Sequence, residues 1–143
     1  MVLFKKVNAM DIKYYEFSNP IYPRKIWVVI TNHPEKLNSL FEFKDYILNK
    51  CDFKTYAAFT DGATNKESLK LGILVAFSSR KYLNPKTIGH EAQHVLDCFI
   101  TDCDLEQYPN DRNEHIAYLK GYIDECLWSV KDKNTKFKIF KTK

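Results

Sequence analysis

The segment Gly89-His90-Glu91-Ala92-Gln93-His94 sets two imidazoles four residues apart, with a carboxylate next to the first. On an α-helix, positions i and i+4 share a face with Cβ atoms roughly 5–6 Å apart. Two rings at that spacing reach one ion at about 2.0–2.1 Å each. Glu91 falls one position on, beside that face, where its carboxylate can hydrogen-bond a metal-held water instead of ligating the ion. Composition alone, with 4 His and 8 Glu, yields H-E-x-x-H in roughly one shuffled chain of this length in 150. The spacing therefore gains weight only from its context, a predicted capped helix just after an alternating strand. The plain alternative is a pair of solvent-facing histidines on a surface helix.

A catalytic zinc site uses three protein ligands and keeps one position open. The next predicted helix offers Glu114, in Asn113-Glu114-His115, 20 residues past His94. Glu114, Ala117, Tyr118 and Gly121 share one helical face, and the two small residues predict a close approach to the His90/His94 helix. Glu114 competes for the ligand role with His115, and an acidic residue also favours a helix N-terminus with no ligand role at all. Asp97 follows His94 by three residues and is placed to accept a ligand histidine's second N–H. A solvated surface acid is the equal alternative. Cys98, at i+4 from His94, allows a closed structural site that would leave Glu91 without a role.

These residues resemble the zincin metallopeptidases, and more narrowly the gluzincins, whose third ligand is a glutamate on the following helix. The resemblance follows element order over about residues 25–128, but its specific part is His90, Glu91, His94 and Glu114. It implies zinc held by His90, His94 and Glu114, with Glu91 as general base. It also implies that the strand near 71–77 is an edge strand pairing with an extended peptide substrate. The small size is similar to minimal zincins of bacteria and phages. Two departures stand out. The metzincin extension is absent, because residues 95–107 hold neither glycine nor histidine. Nor does any residue match the separate oxyanion donor of larger gluzincins. Tyr118, one turn beyond Glu114, and the adjacent His115 are the candidate catalytic donors, and for Tyr118 aromatic packing between helices is the favoured alternative. The implied activity is zinc-dependent peptide hydrolysis. The rival is a zincin-like interaction or virion-assembly module with little or no hydrolysis.

The elements that position these residues are legible in part. Residues 25–31 contain Ile26-Trp27-Val28-Val29-Ile30, a β-branched run of strand length. Pro34, with Thr31 and Asn32 upstream, opens a predicted amphipathic helix over 34–49, on the spacing of Leu37, Leu40, Phe41, Ile47 and Leu48. Segments 53–60 and 69–78 read as a hairpin with Asp61-Gly62 in its loop. The second segment alternates Leu69, Leu71, Ile73, Val75 and Phe77, predicting one apolar face. Asn84-Pro85 is a cap-plus-N1 pair for the motif helix. A last helix begins near residues 110–111. Residues 1–22 are ambiguous, with Asn19-Pro20 and Tyr22-Pro23 favouring extended or turn structure. The order strand, helix, two strands, helix, helix predicts an α+β fold, a small sheet covered by helices.

The 143 residues suggest one domain, here 1–130, followed by a basic tail at 131–143. That tail carries a net +5 of the chain's +4, leaving −1 for the rest. A uniformly basic nucleic-acid-binding domain is disfavoured, and the tail alone is a candidate for phosphate or an acidic partner. No apolar run approaches the roughly 20 residues that cross a bilayer, and Met1-Val2-Leu3-Phe4-Lys5-Lys6 does not read as a secretory signal. A soluble, cytoplasmic or phage-associated protein is expected, with no membrane partner. Cys51, Cys98, Cys103 and Cys126 lack paired C-x-x-C spacing and are expected to be reduced thiols.

Overall fold

The computed structural model describes residues 11–49 and 57–142. Among the described residues, six strands, β1 (Ile12–Ser18), β2 (Lys25–Ile30), β3 (Phe41–Glu42), β4 (Ala58–Asn65), β5 (Leu71–Phe77) and β6 (Lys138–Phe140), form one sheet. Its order is β3-β4-β5-β2-β1-β6. β2 and β5 run parallel, and every other pair is antiparallel. Two helices, α1 (Pro85–Asp102) and α2 (Glu114–Lys131), complete the expected α+β class. Neither is long and apolar enough to cross a membrane.

Alternation along the central strands makes two cores. Ile26, Val28, Ile73, Val75 and Phe77 face the helices, meeting Ile88, Val95 and Phe99 of α1 and Ile123 and Leu127 of α2. Trp27, Val29, Leu74 and Ala76 face the other way, under Leu37, Leu40, Phe41, Phe43 and Leu48. β5 is therefore buried on both faces, not on one as its strictest alternation suggested, because Leu74 and Ala76 are covered by the 34–49 segment. Gly72 is needed where β5 passes β2. A Cβ there would lie 2.4 Å from the Lys25 carbonyl oxygen and 2.7 Å from the Trp27 ring.

That covering segment is not the predicted helix. Only a 3-10 turn forms, at Pro34–Ser39, and β3 follows at once. Leu37, Leu40 and Phe41 are fully buried, each contributing roughly 1.5–3 kcal/mol, which outweighs helix propensities of a few tenths of a kcal/mol per residue. Asn38 then closes the loop: its Oδ1 accepts from Leu48 N at 2.9 Å, and its Nδ2 donates to Leu48 O at 2.8 Å.

The hairpin is shifted from its predicted position. Asp61 and Gly62 lie inside β4, opposite Leu74 and Ile73, and the turn falls at 65–70. There Asn65 Oδ1 accepts from the N–H groups of Glu67 and Ser68, and Leu69 takes a left-handed φ of 60°. Residues 53–56 of the first predicted strand lie outside the described residues.

The ambiguous N-terminal region and the basic C-terminal segment meet. β6 pairs with β1, Ile12 opposite Phe140 and Tyr14 opposite Lys138. Lys138 pairs with Glu16, and Asp11 Oδ1 accepts from Thr142 N at 3.0 Å. The described residues of the segment 131–143, read from composition as a tail, thus supply the last residue of α2, Lys131, and the edge strand β6. Among the described cysteines, Cys98, Cys103 and Cys126 are free thiols. Cys51 lies outside the described residues.

Candidate metal centre

α1 starts as predicted: Asn84 caps it, accepting from Thr87 N at 2.9 Å, with Pro85 in the first turn. Its buried stripe runs Ile88, Glu91, Ala92, Val95, Leu96 and Phe99. His90 and His94 lie on the exposed flank of that stripe. Their Nε2 atoms stand 3.1 Å apart, with ring centroids at 4.8 Å. Two nitrogens held about 2.05 Å from a tetrahedral ion are about 3.3 Å apart. At 3.1 Å one ring N–H can donate to the other ring's nitrogen, and the separation is also close to that of two donors on one divalent ion.

Glu91 is a carboxylate only 4% exposed. It points beneath the sheet edge, where Thr60 Oγ1 of β4 donates to its Oε2 at 2.6 Å. A buried carboxylate needs such a partner, because desolvation otherwise disfavours its charge. No local pattern points to Thr60, which lies 31 residues upstream at the end of a predicted strand. Only the pairing of β4 with β5 brings it to α1.

Beside the motif, β4 and α1 wall a cleft of about 900 Å³ whose lining includes Thr60, Gly62, Tyr46, His94, Asp97 and Cys98. Asp97 Oδ1 accepts from Gln93 Nε2 at 3.0 Å, an i,i+4 bond along the helix. Cys98 is pushed up to about 11, first by burial and then by the negative charges of Asp102, Asp61 and Asp97. Among the described residues Cys98 and the histidine pair form no three-donor group, which counts against the closed-site alternative.

The β5 strand is not an edge. It lies between β4 and β2 and is paired on both sides, so the expected peptide-docking role of residues 71–77 is overturned. The available edge belongs to β4. Ser78 N donates to Ala57 O, and Asn65 N donates to Lys70 O, both at 2.9 Å. In an antiparallel ladder the hydrogen-bonded pairs alternate, so the odd-numbered residues of β4 bond β5 and the even-numbered ones face outward. Thr64 meets Glu42 of β3. Among the described residues, Ala58, Thr60 and Gly62 have no strand partner on that side.

α2 does not present the face that spacing suggested. Leu119, Ile123, Cys126, Leu127 and Val130 are buried, whereas Glu114, Ala117, Tyr118 and Gly121 are all exposed. A Cβ at Gly121 would meet nothing within 4 Å. The larger apolar stripe, with more area to remove from water, takes the helix–helix contact. Tyr118 is 76% exposed. Arg80, just ahead of α1, donates to the carbonyls of Val130 and Lys131 at the end of α2, so the helices run antiparallel. Glu114 opens α2 and is level with the end of α1, about 12 Å along the axis from His94 at 1.5 Å per residue. Among the described residues, no three His, Cys, Asp or Glu side chains converge to hold an ion. The structure brings His90 and His94 together, turns the Glu91 carboxylate to Thr60 of β4, and does not bring Glu114 to the histidine pair.

The start of α2 lies three residues later than predicted because Asn113 folds back. Its amide nitrogen donates to Tyr108 O, and its Oδ1 accepts from Tyr108 N. Asn113 itself takes a left-handed φ of 51°, a conformation asparagine tolerates. His115 Nε2 lies 2.7 Å from the Glu106 carbonyl oxygen, engaged with the same connection.

Comparison with known proteins found no family model that matches the chain, and no match among curated proteins or solved structures.

Proposed function

We propose that the chain is a zinc-dependent peptide hydrolase, with His90 and His94 as metal ligands and Glu91 as general base. The observation that carries this reading is the pair of Nε2 atoms 3.1 Å apart beside a buried carboxylate. Zinc at such a site supplies a water acidic near neutral pH and a Lewis acid for the scissile carbonyl. Glu91 takes the proton of the attacking water and delivers it to the leaving amine. Its Oε2 is occupied by Thr60, which leaves Oε1 for that transfer.

The outward edge of β4 binds an extended peptide through main-chain hydrogen bonds at Ala58 and Thr60, the Gly62 N–H already donating to Asp61 Oδ1 at 2.7 Å, with side chains entering the cleft. This places the backbone of the substrate along the same strand that holds the base. Glu114, exposed at the start of α2 and apart from the histidine pair, is not counted among the ligands. Tyr118, exposed on α2, is given no part in the reaction.

The test is elemental analysis of protein purified without added metal, paired with cleavage of a mixed-sequence fluorogenic peptide library. One zinc per chain and cleavage lost in Glu91→Gln support the reading. Zinc without cleavage of any peptide favours the alternative, an interaction or assembly module built on the same motif. Absence of zinc sinks the metal centre.

A further inference from the structure

We infer that Thr60 is the positioning residue for Glu91, and that it couples substrate docking on β4 to the general base. The inference rests on the peptidase reading above and adds a residue that the motif does not contain. Two features of Thr60 converge. Its side-chain hydroxyl donates to Glu91 Oε2 at 2.6 Å, and its main-chain N–H and C=O face outward from β4, as the ladder alternation requires.

Glu91 sits on α1 among apolar neighbours, next to Ala92 and one turn from Ile88 and Val95, all buried. The carboxylate has two oxygens, and the Thr60 bond fixes which of them is used for support. A peptide added to β4 would hydrogen-bond the backbone of the residue whose hydroxyl sets the carboxylate. Pulling β4 toward the substrate therefore moves the base with it. Hydrogen bonds to charged groups contribute about 1.5–3 kcal/mol, equivalent to a tenfold to hundredfold change in rate at 1.36 kcal/mol per decade.

Thr60→Val keeps the shape of the side chain and removes the donor; Thr60→Ser keeps the donor. In zinc-loaded protein, with the best-cleaved member of a fluorogenic peptide library, kcat should fall ten- to a hundredfold in Thr60→Val. KM should stay within about threefold, and Thr60→Ser should recover most of the loss. A readout independent of activity is a denaturant double-mutant cycle on Thr60→Val and Glu91→Ala. The loss of unfolding midpoint caused by Thr60→Val should be markedly smaller when Glu91 is already absent. Equal kcat in wild type and Thr60→Val, or fully additive midpoint losses, overturns the positioning role while leaving the peptidase reading standing. A zinc-loaded wild type that cleaves no peptide overturns both together.

Discussion

Replacing Gly72 with alanine tests how tightly the strand pairing behind the cleft is set. The new Cβ would lie 2.4 Å from the Lys25 carbonyl oxygen and 2.7 and 2.9 Å from two atoms of the Trp27 ring. Neither neighbour yields easily. Lys25 is in register with Gly72 across the parallel β2–β5 pair, and Trp27 is fully buried with its ring centroid 5.3 Å from that of Phe41. Overpacking of a filled core costs about 1–3 kcal/mol, and a clash with backbone oxygen belongs at the upper end. Removing glycine's unfolded-state freedom returns about 0.5–1 kcal/mol. The net expectation is a loss of about 2 kcal/mol, or about 8 °C in Tm at roughly 4 °C per kcal/mol for a chain of this size. Thermal unfolding followed by circular dichroism measures it. Gly62→Ala is the control, since its Cβ would meet only the Gly72 oxygen at 3.9 Å. A Gly72→Ala variant that melts within about 2 °C of wild type, or a control equally damaged, refutes the packing argument.

Other outcomes follow from the same geometry. Glu91→Gln keeps an oxygen for Thr60 and should retain zinc, while turnover drops by about 10²–10⁴, the usual contribution of a general base; comparable cleavage by both proteins would remove Glu91 from the chemistry. His90→Ala and His94→Ala should each weaken zinc binding about a hundredfold or more in competition titrations, whereas Cys98→Ala should leave it unchanged. Burial alone would raise the Glu16 carboxyl, but hydrogen bonds from Lys138 and Trp27 outweigh it and hold the group below its ordinary value of 4.5. The protonation balance then stabilises the fold above that value and is lost as pH falls through the lower folded-state value. Hydrogen exchange at Ile139 and Phe140 should accordingly differ between wild type and Glu16→Gln above the ordinary carboxylate range, and the difference should fade as pH falls below the lowered folded-state value. A difference that persists in acid would disconnect this pair from the docking of β6.

What the sequence discloses here depends on whether a local signal decides the structure. The Asn84-Pro85 start of α1 and the i,i+4 histidines are local, and both are found as expected. No α-helix forms over 34–49, because the spacing of Leu37, Leu40 and Phe41 is equally served by a 3-10 turn and a two-residue strand over the second core. Asp61-Gly62 carries a strong turn signature, yet pairing with β5 keeps it in the strand while Asn65 supplies the turn. The edge role was assigned to the more apolar strand, whereas complete burial marks β5 as central. Thr60 was invisible, since its function arises only from a ladder connecting residues far apart in the chain. On α2, small residues at 117 and 121 suggested close packing, but the competing stripe of Leu119, Ile123 and Leu127 had more area to bury.

X-ray absorption at the zinc edge of metal-loaded protein examines the histidine pair without any assay of activity. Two imidazole nitrogens at about 2.0–2.1 Å, completed by oxygen donors, are expected, with loss of one imidazole in either single-histidine variant. A sulfur shell at about 2.3 Å, or a zinc environment unchanged by His90→Ala, would contradict this coordination.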